Sequence, residues 1–350
     1  MVTSVRSCWL LALLGLGCLP IVALAGDPDS RQVDRLETTR QLNLLIDAEW
    51  DWRLREQPTF ASYLGDRRHN DRWPDVSIKA INRRHAHRRV VLKQLAAIDR
   101  KVLAPGDRLN YDLFRREFAV SVESHAYRWF LVPLTARDGI QDASSTSDVV
   151  RFEQVEDFRQ WLERLRGFGQ YMDQTITLMK VGLKERRVHD REVMVRVPAQ
   201  IARQIVEDPR KSLFFKPFRN FPETVSLADR KSLEARASKA ISEVVVPAYR
   251  RLQKFFNDSY LPGCFARAGV WQIPRGKEFY AFRCRRFTTT DLTPSQIHDI
   301  GKREVKRIRR EMEKVIRQTK FDGSFREFLE FMRTDPRFYY KNAGDLLAAY

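Results

Sequence analysis

Cysteine is scarce in this sequence: beyond the first 25 residues only Cys264 and Cys284 remain. That excludes a scaffold built on disulfides, and leaves the pair as either one bridge in an oxidising compartment or two buried free thiols. Histidine is also sparse, and none of the six is spaced four from another as a helical zinc pair requires. His85 and His87 are two apart, which turns them about 200° from each other on a helix, so they cannot share an ion there. His85 falls on an apolar stripe and reads as a hydrogen-bonded core residue rather than a ligand. The chain has no G-x-S-x-G elbow, no G-x-x-x-x-G-K-[ST] phosphate loop and no G-x-G-x-x-G dinucleotide turn. From the residues themselves, therefore, no catalytic, metal-binding or cofactor-binding set can be named.

Long apolar runs are missing too, with one exception. The stretch "CWLLALLGLGCLPIVALA" follows a single positive charge, Arg6, and ends in Ala23-Leu24-Ala25, which fits the small-x-small rule for signal-peptide cleavage. Residues 1–25 are expected to be a secretory signal removed after Ala25, with Cys8 and Cys18. A lipid anchor on Cys18 is disfavoured because Gly15 stands where a lipobox usually has Leu. The protein is thus expected outside the cytoplasm, with no integral membrane segment after cleavage.

Basic residues are abundant. The formal net charge of +18 favours anionic partners in general: wall polymers, lipid headgroups, acidic polysaccharide or nucleic acid. No specific nucleic-acid motif accompanies it. In "NRRHAHRR" and "KREVKRIRREMEK" the bases alternate with apolar residues, the pattern of a solvated helix face. Glu49, Asp51, Asp71 and Asp75 lie near Trp50, Trp52 and Trp73, a composition seen in carbohydrate sites, but surface and capping roles account for them among 45 acids.

Apolar residues recur at three and four, so the fold class is mainly α, a multi-helix array over residues 26–350. Helices are expected over 36–57, stopped by Pro58, over 75–103, and from near Asp107. A loop is expected over 131–150, two helices over 153–186 separated near Gly167 and Gly169, and a shorter one over 190–207. "EDPRKSLFFKPFRNFPETVS" reads as a loop with packed aromatics. A long helix over 227–260 carries Pro247 as a kink. Aromatic and β-branched content between Gly and Pro predicts a short extended or hairpin segment near 270–290.

Thr293, Pro294 and Gln296 then spell a helix start with a capping box. Thr288, Thr289 and Thr290 precede it, and could donate to a ligand or tie the chain to the helix end. His298 and Glu304 are about 240° apart around that helix, so those two alone do not form a site. At the other end, a helix starting near Asn342 is left apolar and uncapped at Tyr350, and the chain reads as cut off.

Several strings are distinctive together: "AEWDWRLREQPTFASYLGDRRHNDRWPDVS", "DRLNYDLFRRE", "VPAQI", "VVPAY", "GKEFYAFRCRRFTTTDLTPSQIHDIGKREVKRIRREME" and "FMRTDPRFYY". In this order, from about Asp34 to Tyr350, they resemble the bacterial family called domain of unknown function 885. The resemblance implies a largely helical, often exported hydrolase related to gluzincin-type zinc peptidases. It also implies an H-E-x-x-P-G-H motif carrying the metal histidines and the general base, downstream of the threonine-rich segment. This sequence contains no such motif, so no ligand or base carries over to a numbered position. The resemblance covers the family's front half, with Thr288, Thr289, Thr290 and His298 implied at the side of a cleft. The expectation is an N-terminal part, inactive alone, whose partners would be a peptide substrate and a complementing C-terminal part. The alternative is a basic helical protein that binds anionic polymers or a membrane surface.

Overall fold

The computed structural model describes residues 28–350; the expected signal peptide, with Cys8 and Cys18, lies outside the described residues. The first expected helix is α1 (Pro28–Glu56), and α2 (Pro58–Tyr63) follows at once. Pro58 cannot continue the hydrogen-bond ladder of α1, but its fixed φ suits the start of a new helix. α3 (Ile78–Ala96) begins where the Ser77 hydroxyl accepts from the Ala80 amide, and α4 (Pro105–His125) has a proline in its first turn. These helices share a small core of Leu42, Leu95, Ile98, Leu103 and Tyr111.

Short turns and α5 (Thr146–Val149) occupy the expected loop. Next comes α6 (Val155–Lys184), the spine of a second and larger core. Two helices were expected here, and the chain makes one. Its buried stripe of Phe158, Trp161, Leu165, Phe168, Met172, Ile176 and Met179 runs straight past both glycines. Each glycine costs about 1 kcal/mol in a helix, less than burying one large side chain contributes. Neither is required for packing, since a Cβ on Gly167 would lie 3.8 Å from Trp73 and one on Gly169 3.4 Å from Val244, ordinary contact distances.

α7 (Arg191–Met194) and α8 (Val197–Ala202) replace the single shorter helix expected there. Phe214, Phe215 and Phe218 of the proline-rich stretch fold into the large core as expected. α9 (Leu227–Ala240) and α10 (Val246–Phe255) form one run through a π turn at Ile241–Val245. Pro247 falls in the first turn of α10, and the wider turn before it accommodates the missing N–H.

The hairpin expected near 270–290 is not formed. Gly276–Thr288 is a helix, α11, preceded by a 3-10 turn at Val270–Gln272. Phe279 and Phe282, three apart, face one way and pack against Tyr127; this helical spacing outweighs the β-preference of the aromatics. α12 (Pro294–Gln318), α13 (Phe325–Thr334) and α14 (Ala343–Ala349) complete the chain. The expected capping box is present, with the Thr293 hydroxyl accepting from the Gln296 amide and Gln296 Oε1 accepting from the Thr293 amide at 2.8 Å.

Among the described residues there is no β-strand, only one bridge between Asp190 and Phe265. None of their helices is long and apolar enough to cross a membrane. Cys264 and Cys284 are free thiols, so the disulfide alternative is not realised. Cys264 is buried, donates to the Tyr260 carbonyl at 3.3 Å, and is pushed up to about 11 by that burial.

Candidate functional site

The two cores meet along α4, and a groove of three linked cavities follows the junction. The first, about 270 Å³, lies between α1 and α4 and is walled by Ile46, Trp50, Phe114 and Phe118. Arg88 and Ser121 join it to a second, about 350 Å³, which reaches His125, Trp129 and Arg283. Phe282 and Arg286 join the second to a third of about 200 Å³, where Thr289 and Thr290 lie. A hollow of about 700 Å³ along the outer face of α6 offers less chemistry, because its one charged group, Asp173, pairs with Arg251 at 3.0 Å.

Glu49 sits in the wall of the first cavity with only 8% of its surface exposed. His87 Nε2 donates to its Oε1 at 2.7 Å, while its Oε2 has no hydrogen-bond partner among the described residues. His87 is stacked on Trp52 with centroids 3.9 Å apart. Burying a carboxylate is costly unless its oxygens are satisfied, and Oε2, itself shut off from solvent, is the uncompensated part of that cost. A surface or capping role for Glu49 is therefore corrected. Asp51 does pair with Arg68, Asp71 with Arg72, and Asp75 accepts from the Ser77 amide, as ordinary acids do.

His85 and His87 diverge, as their spacing required. His85 turns toward α4 and stacks on His125, centroids 3.9 Å apart. It is half-buried with an unpartnered Nδ1, which corrects the expected hydrogen-bonded core histidine. The charge run around it is likewise more than a solvated face: Arg84 pairs with Glu56, and Arg88 lines the groove.

Burial lowers the pKa of His85, with Arg89 and Arg88 adding repulsion; burial also lowers His125, helped by His85, Arg128 and Arg88. Half-buried His189 is lowered for the same first reason. The unfolded chain takes up these protons near pH 6.5, and the folded chain takes them up only at lower pH. Their contribution to stability is thus complete above pH 6.5 and is lost as pH falls through the folded values. Thermal melts at fixed ionic strength should show Tm falling by a few degrees between pH 7.5 and 5.5, with a shallower slope in His125→Gln. A Tm unchanged over that range would contradict this.

The threonine-rich segment divides. Thr289 and Thr290 line the third cavity. Thr288 closes α11 by donating to the Cys284 carbonyl at 2.9 Å and pairing with the Thr290 hydroxyl at 2.9 Å. His298 is exposed on α12 and lines none of the three cavities. Among the described residues no three His, Cys, Asp or Glu side chains converge to hold a metal ion; Glu49 and His87 stand as a pair without a third donor. Zinc therefore does not fit any donor set these residues supply.

The family described as "Bacterial protein of unknown function (DUF885)" matches residues 58–350. No curated protein matches the sequence. Among solved structures, the crystal structure of the putative lipoprotein from Colwellia psychrerythraea is similar, with a TM-score of 0.74 and 15% identity over 90% of this chain. At that identity the likeness shows the fold. The chain spans 57% of that protein's length.

Proposed function

Because the chain belongs to the bacterial DUF885 family, we propose that its residues form the substrate-binding front portion of an exported, zinc-dependent hydrolase acting on peptides. The metal ligands and general base would come from sequence or a partner outside the described residues. The observation that carries this reading is the groove along α4, closed on one side by aromatic side chains and ending at Thr289 and Thr290. Its length and mixed lining suit an extended chain: apolar side chains against Phe114 and Phe118, and polar groups against Arg88 and Ser121. The signal-like leader supports export, and the description of the similar structure as a lipoprotein agrees with that. The apolar face of α12, with Val305 68% and Val315 56% exposed, is where a complementing C-terminal part would seat.

Ser121 lines both the first and second cavities, so a large side chain there blocks the groove at its waist. In the complete, active native product, Ser121→Trp should raise KM for a peptide substrate at least about tenfold, roughly 1.4 kcal/mol of binding. An unchanged KM would remove the groove from this reading. The alternative, a basic protein that holds anionic polymer or membrane surface, is favoured by the net charge of +18. It requires binding to such polymers that weakens steeply with salt and ignores metal.

A further inference from the structure

The second cavity gathers arginine side chains that no salt bridge neutralises, although the carboxylates of Glu117 and Glu49 act on Arg88 from the adjoining first cavity. Arg88 enters from α3, and Arg283 and Arg286 from α11. Among the described residues, none of these three guanidinium groups makes a hydrogen bond or an ion pair, whereas Arg84 is tied to Glu56 and Arg285 to Glu123. Like charges drawn together raise the energy of the folded chain unless an anion joins them, most where they are partly buried, as Arg88 and Arg283 are and the exposed Arg286 is not. Two features show that this cost is felt. Burial lowers the Arg88 pKa, with Arg84 and Arg53 adding to it and Glu117 and Glu49 opposing; burial and the charge of Arg286 lower that of Arg283. The cavity also offers a neutral donor, the Ser121 hydroxyl, whereas that of Ser124 already donates to the Ser121 carbonyl at 2.8 Å.

We propose that Arg88, Arg283 and Arg286 form a recognition site for an oxyanion, the carboxylate or phosphate end of a small molecule whose apolar portion extends into the aromatic first cavity. Arginine suits this role because its planar fork can meet two oxygens at once. Arg88 and Ser121 line both cavities, which sets the direction: the arginines lie in the second, and the aromatic walls of the first, which also holds Arg53, Glu49 and Glu117, lie beyond them. The inference deepens the reading of the groove as a substrate wall and rests on it for what becomes of the ligand. Binding needs no turnover, so the two can fail separately.

The test is calorimetric titration of the 350-residue chain at low salt with inorganic phosphate, N-acetyl-L-phenylalanine and N-acetyl-L-phenylalanine amide. At least one of the two anions should bind and the neutral amide should not. Tighter binding of the N-acetyl amino acid assigns the site to a carboxylate ligand, and tighter phosphate binding to a phosphorylated one. Arg283→Gln/Arg286→Gln should weaken binding at least tenfold, while Arg250→Gln/Arg317→Gln, which removes the same charge elsewhere, should leave it within twofold. Because the first pair relieves repulsion, its Tm without ligand should not fall. If it fails to fold, Arg283→Lys/Arg286→Lys keeps the charge, loses the fork, and should bind more weakly than the native chain. Absence of binding by both anions, equal binding of the amide, or equal weakening in the control pair would each overturn the proposal.

Discussion

Trp161→Ala is expected to destabilise the chain by about 3–5 kcal/mol, a large share of the 5–15 kcal/mol that typically holds a domain together. Trp161 lies mid-face on α6 with 1% of its surface exposed, between Trp73 at 6.4 Å, Phe152 at 6.1 Å and Phe214 at 6.3 Å. Its indole N–H donates to the Phe214 carbonyl at 3.1 Å, so the substitution also strands a buried acceptor. That bond fixes the proline-broken stretch to the spine, which is why the loss should exceed that of an aliphatic truncation. Urea unfolding followed by fluorescence measures it; Trp161→Phe should cost less because it leaves most of the packing in place. A loss below about 1 kcal/mol for the alanine variant would mean that α6 is not the spine of the fold.

In the 350-residue chain, backbone amides of α12 should exchange with solvent at least about a thousandfold faster than those in the middle of α6. Ile316 is the one buried residue of α12, whereas α6 is buried along a whole face. What supports α12 is local: the Thr293 capping box, worth about 1 kcal/mol, and exposed pairs such as Arg307 with Glu311 and Arg309 with Glu313, worth a few tenths each. Such terms leave an isolated helix marginal in water. Hydrogen exchange read by mass spectrometry decides this, and Thr293→Ala should speed α12 further while leaving α6 unchanged. Equal protection of the two helices would mean that the apolar face of α12 is already covered in solution.

What could be read in the sequence follows the range of the interactions. The start of α12 was legible because a capping box is complete within four residues, Thr293 to Gln296. The mainly α class was legible because apolar spacing repeats over most of the chain. Gly167 and Gly169 misled because local propensity was weighed without the tertiary stripe running past them. The segment before the capping box misled for the opposite reason: its aromatic content suggested a strand, although Phe279 with Phe282 and Arg283 with Phe287 already carried helical spacing.

The groove was the least legible feature. Glu49 meets His87 across 38 positions, and Arg88 meets Arg283 and Arg286 only when α3 and α11 flank the same cavity. No pattern along one helix contains those distances. The nearest sequence signal was the pair His85 and His87, whose opposed directions implied two neighbours on different sides, supplied here by α4 and α1.

As proposed, these residues serve a zinc-dependent hydrolase whose metal ligands lie outside them. This is tested most directly by purifying the native exported product and measuring its zinc content and its peptidase activity before and after chelation. About one zinc per catalytic unit is expected, with activity that disappears with the metal and returns when zinc is restored. A product without zinc, or one whose peptidase activity survives its complete removal, would contradict it.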